Sequence, residues 1–385
     1  MSDSATKKVL KKVKIAHVLD SVGGVEVYLR LVSENINPEC IENIIIHKNN
    51  PEKRQYLDKH GNSIKEFNID IQREINLVKD LKAIYQTVKI LKKERPDLIH
   101  AHSAKGGIIA RAASLFYKVN VLHTPHAYSY LSTDNIIRKK LFLLLEAIFS
   151  KINSYLLATS NSEIERGVRE VGYKPEKVIL FNNSILPINL DENIFNDFKL
   201  PNEYICSVGR PSFQKNIEMM IEVINRVKDY KPDIHLVLMG VGEYSPNKNA
   251  INKLIEKHNL KSHITLVNWI EREKILQIIK QSKMYISTSR YEGLPYSIIE
   301  SLSLSKSCVV TKCDGNKDLV KDGYNGFLIE NFSVKKMAEK ICLLLDDDLL
   351  RVKFEQNAFK LFNREFNLEN NIVKLEEIYF KLKPS

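Results

Sequence analysis

Two glutamates at a fixed spacing are the residues of this chain best suited to chemistry. Glu292 and Glu300 lie eight positions apart, with Gly293, Leu294 and Pro295 directly after the first of them. Proline is favourable at the start of a helix, where its missing N–H is not needed. The free N–H groups at such a start bind anions, and two carboxylates that converge on one cleft bind hydroxyl groups. The stretch therefore predicts a site for a ligand that carries anionic and hydroxyl groups.

Two basic residues earlier in the same half of the chain complement these carboxylates. Arg210 and Lys215 lie in the segment Gly209-Arg210-Pro211-Ser212-Phe213-Gln214-Lys215-Asn216, directly after a predicted strand. Two cations directed at the oxygens of an anionic group stabilise it without any proton transfer. Taken alone, an arginine and a lysine in a loop are ordinary surface residues. The functional interpretation depends on their occurrence together with the paired glutamates.

Short apolar segments alternate with helical segments and would position these side chains. The predicted strands cover residues 13–19, 44–47, 64–67, 96–101, 119–124, 156–160 and 177–181 in the first half, and 204–209, 235–239, 264–267, 284–287 and 308–311 in the second. Repeated alternation of this kind predicts parallel sheets with helices on both faces. Ligands of such sheets bind at the carboxyl ends of the strands, where the candidate residues lie.

The motif Glu292-x7-Glu300, with Gly-Leu-Pro inside it, resembles the E-x7-E motif of retaining GT-B glycosyltransferases, in particular glycosyltransferase family 4 (group 1). The segment from Gly209 to Asn216 resembles the G-R-x(4)-K-N signature of that family. The resemblance extends over the chain from about residue 13 to 366. Within the family, the chain is similar to bacterial polysaccharide, O-antigen and capsule glycosyltransferases. It implies an α/β fold of the GT-B type, with two Rossmann-like β/α/β domains facing each other across a cleft.

A chain of 385 residues is long for one hydrophobic core and indicates two domains. We expect a disordered basic tail at 1–12, an N-terminal acceptor-binding Rossmann-like domain at 13–188 and a linker at 189–202. A C-terminal nucleotide-sugar-binding Rossmann-like domain would follow at 203–365. The resemblance implies that the last helix, 366–385, packs back on the N-terminal domain.

The resemblance also implies roles for individual residues. Glu300 would accept hydrogen bonds from ribose hydroxyls, Glu292 would lie near the donor sugar, and backbone N–H groups near Gly293 and Leu294 would hold the diphosphate. The implied catalytic residues are His126, Arg210, Lys215 and Glu292. The implied donor and nucleotide site comprises Gly23, Gly24, Arg210, Lys215, Gly240, Trp269, Ile270, Glu292, Gly293, Leu294, Pro295 and Glu300.

Candidates in the first half have weaker local patterns. Gly23 and Gly24 lie between a predicted strand and a predicted helix, where small residues bring backbone amides close to a phosphate or form a tight turn. His126 matches the histidine that lines the active site in many family members. We interpret His123 as structural. The segment from His102 to Gly107 could line the cleft, but we favour loop packing.

Composition limits the partners and the compartment. The net charge of +11 favours anionic partners, although the lysines are spread along the chain. The five cysteines lack metal-ligand spacing, so we expect reduced thiols in a cytosolic protein. We expect no signal peptide, no transmembrane helix and no nucleic-acid partner. The basic segment from Arg138 to Lys140 predicts either peripheral contact with the anionic inner face of the cell membrane or a normal solvated surface.

The predicted reaction is retaining transfer of a hexose or N-acetylhexosamine from a nucleotide sugar, a UDP-sugar, to a glycan or undecaprenyl-linked acceptor. It would serve cell-surface polysaccharide synthesis, such as capsule or the O-antigen of lipopolysaccharide. No cofactor or metal is expected, because Arg210 and Lys215 supply the positive charge. The alternatives are a GT-B nucleotide-sugar epimerase and a non-catalytic GT-B binding subunit. The replacement of a family Gly-Gly-x-x-Glu pattern by Asp314 to Asp318 leaves the donor sugar open.

Overall fold

The computed structural model describes residues 12–20, 23–49, 54–72, 76–190, 200–242 and 245–384. The chain divides into two compact units. The first comprises Met1–Thr159, Ile164–Phe181 and Glu369–Ser385, and the second comprises Ser160–Glu163 and Asn182–Leu368. Residues 1–11 of the expected tail, 191–199 of the expected linker, and Ser21 and Val22 of the first glycine loop lie outside the described residues.

Two parallel sheets form the centres of the two units. In the described part of the first unit, seven strands are ordered β3-β2-β1-β4-β5-β6-β7. They are β1 (Val13–Leu19), β2 (Ile41–Lys48), β3 (Lys65–Ile69), β4 (Leu98–His102), β5 (Val121–Thr124), β6 (Ser154–Ala158) and β7 (Val178–Leu180). In the described part of the second unit, six strands are ordered β10-β9-β8-β11-β12-β13. They are β8 (Ile205–Val208), β9 (Leu236–Met239), β10 (Ile264–Val267), β11 (Tyr285–Ser287), β12 (Cys308–Thr311) and β13 (Gly326–Ile329).

Helices connect most successive strands, as is usual for parallel pairing. In chain order they are α1 (Gly24–Asn35), α2 (Leu77–Glu94), α3 (Ser103–Ala113), α4 (Ile136–Phe149), α5 (Asn161–Arg166), α6 (Ile217–Lys228), α7 (Lys248–Lys257), α8 (Arg272–Gln281), α9 (Tyr296–Ser303), α10 (Asn316–Leu319), α11 (Val334–Asp346), α12 (Asp348–Leu361) and α13 (Leu368–Leu382). Short 3₁₀ segments are Ser129–Ser132, Pro175–Lys177 and Glu330–Phe332, and π-helical segments are Gly167–Val171 and Phe362–Phe366.

The strand orders determine where a ligand can enter each unit. In the first sheet the chain proceeds from β1 outward to β3 and then returns to β4, on the other side of β1. In the second sheet it proceeds from β8 outward to β10 and returns to β11. Loops after neighbouring strands diverge at these two reversals and leave a crevice at the carboxyl ends of the strands. The α/β class with two Rossmann-like units is therefore confirmed.

Near the C-terminus, Asp347 separates α11 from α12, because its Oδ1 accepts a hydrogen bond from the Leu350 N–H (2.9 Å) and caps a new helix. The structure differs from the sequence prediction at β13 and at His102. β13 was not predicted from the sequence. The interpretation of His102 as loop packing was wrong, because His100 and His102 both lie on β4 and are fully buried. Among the described residues, the helices are too short or too polar to cross a membrane.

Candidate active site

The loop after β8 and the loop after β11 meet at the reversal of the second sheet. The N–H of Arg290 donates to the carbonyl of Gln214 (2.8 Å), and the Thr288 hydroxyl donates to the carbonyls of Lys215 (3.1 Å) and Asn216 (2.9 Å). These bonds fix the Arg210–Asn216 segment against the segment that carries Glu292. The two sequence motifs, 76 or more positions apart, therefore form one site.

Glu292 is the centre of a hydrogen-bonded network. Its Oε1 accepts from the Lys215 ammonium (2.7 Å) and the Ser289 hydroxyl (2.7 Å), and its Oε2 accepts from the Gln214 amide (2.9 Å). The Glu292 side chain is 8% exposed and the Lys215 side chain 23%. A nearly buried carboxylate needs such partners, because burial without them is costly. In the free protein Lys215 is thus an ion-pair partner of Glu292 as well as a candidate for the diphosphate.

Arg210 differs from Lys215 in its surroundings. It is exposed at the start of the same loop, and it forms no hydrogen bond or ion pair with any residue that the structure describes. Gly240 lies against the backbone of Gly209 and Arg210, since a Cβ on Gly240 would be 3.6 Å from the Gly209 carbonyl carbon. The Arg210 guanidinium is therefore available to an anionic ligand at the ends of β8 and β9.

The turn before α9 matches the predicted anion site. Pro295 is the N-cap, one position ahead of the first helical residue, with φ −72° and ψ 123°. Within the described residues, the backbone N–H groups of Gly293 and Leu294 donate no hydrogen bond. Unpaired N–H groups at a helix start attract negative charge. α9 ends at Ser303.

Glu300 lies in the second turn of α9 and contacts a residue that the sequence analysis missed. The Arg272 guanidinium donates to Glu300 Oε1 through Nε (3.0 Å) and Nη2 (2.8 Å). The other oxygen, Oε2, makes no hydrogen bond with a described residue. Burial raises the pKa of Glu300, and the neighbouring Arg272 opposes that shift. Arg272 orients one oxygen of Glu300 and leaves the other for a ligand hydroxyl.

Trp269 and Ile270 lie in the loop between β10 and α8. Trp269 is 68% exposed. Its indole lies against Gly242, where a Cβ would be only 2.3 Å from the indole Nε1. A side chain at position 242 would displace the ring, so the glycine permits this close approach. The indole is an exposed aromatic surface beside the ends of β9 and β10, and Ile270 next to it is half-buried.

The candidate residues of the first unit lie at the reversal of its own sheet. Gly23 is the N-cap of α1 with φ +62° and ψ −128°, a conformation that L-residues with a side chain rarely adopt. Gly24 is the first residue of α1. His126 follows β5 with φ +55° and is half-buried. Its ring approaches His102, with His102 Nδ1 and His126 Nε2 separated by 3.3 Å.

A cluster of buried rings surrounds His126 and was not predicted. His17 on β1 and His100 on β4 are opposite each other in the sheet register, and the Tyr28 ring packs edge-on against His126 with centroids 5.0 Å apart. Ring nitrogens of His17, His100 and His102 lie within 4.8 Å of one another. Hydroxyls of Tyr379 (2.7 Å) and Thr124 (2.9 Å) engage both nitrogens of His100. Hydrogen bonds thus satisfy the His100 ring without an ion.

Two family models match adjoining parts of the chain. The model described as Glycosyltransferase Family 4 matches residues 22–185, and the model described as Glycosyl transferases group 1 matches residues 191–361. This chain belongs to glycosyltransferase family 4. The second match contains the Lys215–Glu292 network and Glu300, and the first contains Gly23, Gly24 and His126.

Relatives of this family 4 glycosyltransferase align over almost its whole length. It is 29% identical to the UDP-Gal:alpha-D-GlcNAc-diphosphoundecaprenol alpha-1,3-galactosyltransferase of Escherichia coli, over 98% of this chain and 99% of that one. It is 22% identical to the capsular polysaccharide biosynthesis glycosyltransferase CapM of Staphylococcus aureus, over 85% and 90% of the two chains.

Solved structures share the fold at low identity. Sucrose-phosphate synthase from Thermosynechococcus elongatus superposes with a TM-score of 0.84 at 18% identity, covering 96% of this chain and 99% of that chain. Anabaena HepE, solved in complex with UDP and glucose, gives a TM-score of 0.78 at 16% identity, covering 97% and 100%. These likenesses show the GT-B fold of this family 4 enzyme.

Proposed function

We propose that this enzyme transfers a hexose, with galactose as the first choice, from a UDP-sugar to a sugar carried on a polyprenyl diphosphate, in the synthesis of a cell-surface polysaccharide. The observation that carries this proposal is the alignment with the Escherichia coli galactosyltransferase, which spans 98% of this chain and 99% of its relative. A match over almost all of both chains includes the acceptor half as well as the donor half. The relatedness to a capsular polysaccharide enzyme supports the same pathway class.

The donor would occupy the second unit. Arg210 and Lys215 would bind the diphosphate oxygens, together with the N–H groups of Gly293 and Leu294 before α9. Glu300 Oε2 would accept hydrogen bonds from the ribose hydroxyls while Arg272 holds Oε1. The exposed indole of Trp269 would stack on the uracil base. Each of these groups has free donor, acceptor or aromatic capacity in the described structure, as a ligand site requires.

The reaction would retain the anomeric configuration at C1 of the transferred sugar. The acceptor hydroxyl oxygen forms a bond to C1 of the donor sugar as the bond from C1 to the diphosphate oxygen breaks. The bonding electron pair leaves with UDP, and the hydroxyl proton passes to the departing phosphate oxygen. Arg210 and Lys215 stabilise the charge that develops on that phosphate. We propose that these two cations serve in place of a divalent ion.

Glu292 and His126 would act on the sugars. Lys215 bonds Glu292 Oε1, so an incoming diphosphate would share the lysine with the carboxylate rather than meet a free cation. This bond holds the Lys215 ammonium beside Glu292, in the loop after β11. We propose that Glu292 binds donor sugar hydroxyls, that His126 accepts a hydrogen bond from a substrate hydroxyl, and that the backbone at Gly23 and Gly24 approaches the substrates.

Helix α4 supports peripheral contact with the inner face of the cell membrane. Ile137, Leu141, Leu144 and Ile148 recur at spacings of three or four residues and are 79%, 44%, 56% and 50% exposed. Residues at this spacing share one side of a helix. An apolar stripe exposed to solvent beside the basic residues 138–140 is suited to a membrane surface with anionic lipids.

Vesicle sedimentation tests the membrane contact. Binding to phosphatidylglycerol vesicles is expected to exceed binding to phosphatidylcholine vesicles, and the double variant Ile137→Ser/Leu144→Ser should lower it at least fivefold. Leu349→Ser is the matched control, because Leu349 is 86% exposed on α12, in the other unit. Equal binding by wild type and the double variant would contradict the assignment of α4.

Transfer itself is tested with purified enzyme, UDP-hexoses and a synthetic N-acetylglucosaminyl diphospholipid. We expect UDP release and a disaccharide lipid with an α-linkage, at the same rate with and without EDTA. A UDP-hexose carries its sugar in the α configuration, so a β-linked product would exclude retention. Loss of activity in EDTA that Mn²⁺ restores would exclude metal independence.

A further inference from the structure

A chain of hydrogen bonds connects His126 to the interior of the first unit. Asn43 Oδ1 lies 3.2 Å from His17 Nε2, His17 Nδ1 lies 3.0 Å from His102 Nε2, and His102 Nδ1 lies 3.3 Å from His126 Nε2. These four residues, named the histidine relay here, come from β2, β1, β4 and the segment after β5. The series of hydrogen bonds therefore crosses four neighbouring positions of the sheet.

The sheet geometry explains why these side chains meet. His17 is opposite His100 in the parallel register of β1 and β4, and Asn43 is opposite Ile15, two residues before His17. Alternate residues of a strand point to the same face, so Asn43, His17, His100 and His102 share one face. Tyr28 of α1 covers this face, with ring centroids 5.4 Å from His102 and 5.0 Å from His126.

The relay histidines are neutral near pH 7. Burial lowers the pKa of His17 to about 4 and that of His126 to about 3, and it lowers the pKa of His102 well below its usual range. A neutral imidazole carries one N–H, so each ring donates from one nitrogen and accepts at the other. The direction of a single bond in the chain therefore fixes the direction of the others.

Asn43 determines that direction. Its carbonyl oxygen faces His17, so His17 must carry its proton on Nε2 and accept at Nδ1. His102 then donates from Nε2 and accepts at Nδ1, and His126 must donate from Nε2. His126 Nδ1 is left as a bare acceptor, and it makes no hydrogen bond with the residues that the structure describes.

We propose that Asn43, His17 and His102 are positioning residues that hold His126 in the Nε2–H tautomer, so that Nδ1 accepts a hydrogen bond from a substrate hydroxyl. The acceptor state of Nδ1 follows from the relay, whereas the identity of the hydroxyl rests on the proposed function. His123 is outside the relay, because its Nε2 donates to the Ser103 carbonyl (3.2 Å).

Nitrogen-15 NMR of the histidine rings tests the relay without any substrate. Protonated and unprotonated ring nitrogens have well-separated shifts, and single His→Gln variants assign them. In the wild-type protein near pH 7, His17, His102 and His126 are expected to carry the proton on Nε2. A proton on His126 Nδ1 would overturn the proposal.

The variant Asn43→Leu tests whether Asn43 sets the direction of the hydrogen bonds as far as His126. Leucine has the same number and branching of side-chain heavy atoms as asparagine, although it is larger, and it accepts no hydrogen bond, so the His17 Nε2–H loses its partner. The His126 ring shifts, two histidines away, are expected to move towards a mixture of tautomers, and kcat should fall about five- to tenfold with the donor KM within twofold. Asn68→Leu is the matched control, because it makes the same change at an exposed position of the neighbouring strand β3.

Unchanged His126 shifts in Asn43→Leu would overturn the relay, as would equal losses of kcat in Asn43→Leu and Asn68→Leu. The two readouts separate the relay from the proposed function. If the expected tautomers are present but no sugar is transferred, the relay stands and the proposed function fails. If sugar is transferred but His126 carries its proton on Nδ1, the proposed function stands and the relay fails.

Discussion

Replacement of Lys215 separates its charge from its structural role. The Lys215 ammonium bonds Glu292 Oε1 at 2.7 Å and is proposed to bind the donor diphosphate. Lys215→Met keeps the aliphatic stem, which packs on Gly209 with Lys215 Cγ and Cδ 3.2 Å from the position a Cβ would take. The variant therefore removes the charge with little change in packing.

The expected losses differ in size for stability and for rate. Glu292 is nearly buried but keeps its bonds from Ser289 and Gln214, and Lys215 is partly exposed, so the ion pair should contribute about 1–3 kcal/mol to the free energy of unfolding. A lost contact to the developing diphosphate charge removes about 2–4 kcal/mol of transition-state stabilisation. At 1.36 kcal/mol for each factor of ten, kcat/KM should fall by about 30- to 900-fold.

Ser289→Ala is the matched control for Lys215→Met. The Ser289 hydroxyl donates to the same Glu292 oxygen at 2.7 Å but carries no charge. Its loss should lower the free energy of unfolding by about 1 kcal/mol and leave kcat/KM within about threefold of wild type. Guanidinium unfolding and a UDP-release assay, run at a temperature where all variants are folded, measure both quantities. Equal rate losses in the two variants would refute the diphosphate role, because displacement of Glu292 would then explain both.

Four further expectations follow from individual residues. Trp269 is the chain's single tryptophan and is 68% exposed, so UDP binding should change the protein's fluorescence; an unchanged spectrum at saturating UDP would place the base elsewhere. In that titration, Arg272→Ala should weaken UDP binding about five- to tenfold, because Glu300 loses both hydrogen bonds that orient it; unaltered affinity would remove Arg272 from the site. UDP affinity should also fall on acidification towards the ordinary glutamate pKa of 4.5, beginning above that value, because burial raises the pKa of Glu300; Glu300→Gln should reduce this dependence to the part that comes from the UDP phosphate itself. The raised pKa means that protonation of Glu300 favours the folded state, so unfolding through this group cannot cause the loss. In the first unit, Glu146→Ala should lower the free energy of unfolding by about 3–5 kcal/mol, because the buried Arg111 guanidinium, 2.9 Å from Glu146 in the wild type, loses its charge partner. Chemical denaturation measures this loss. A loss below about 1 kcal/mol, as for an exposed pair, would show that burial of the pair does not strengthen it.

The α/β fold was predictable because buried parallel strands are short apolar runs with helices between them. Strands such as 119–124 and 308–311 have this pattern, and the structure places β5 and β12 there. β13 was not predicted because Gly326-Phe327-Leu328-Ile329 begins with a glycine and directly follows the turn at Gly323. Glycine is depleted in strands, so the segment reads as a continuation of the turn.

The motif Glu292-x7-Glu300 of the second unit could be recognised because its two glutamates are close together in the sequence. Glu292 and Glu300 lie on one turn and one helix, so their separation along the chain fixes their separation in space. Arg272 was missed for the opposite reason. It lies 28 positions from Glu300 and reaches it only because α8 packs beside α9. A single arginine at the start of a helix does not show, from the sequence, which residue it will contact.

The histidine relay could not be read from the sequence for a related reason. His17, Asn43 and His102 come from separate strands, and their contact depends on the order β2-β1-β4 and on the register of each pair. A single histidine in an apolar strand is ordinarily a packed core residue. The alternation in Leu98–His102, which puts His100 and His102 on one face, was the available signal.

Incubation of the purified enzyme with UDP-galactose and an N-acetylglucosaminyl diphospholipid, followed by mass spectrometry and anomeric NMR of the product, tests the proposed transfer. We expect one hexose added in α-linkage, with equal yield in EDTA and about 30- to 900-fold slower formation by Lys215→Met. A β-linked product, or absence of transfer from every UDP-hexose offered, would contradict it.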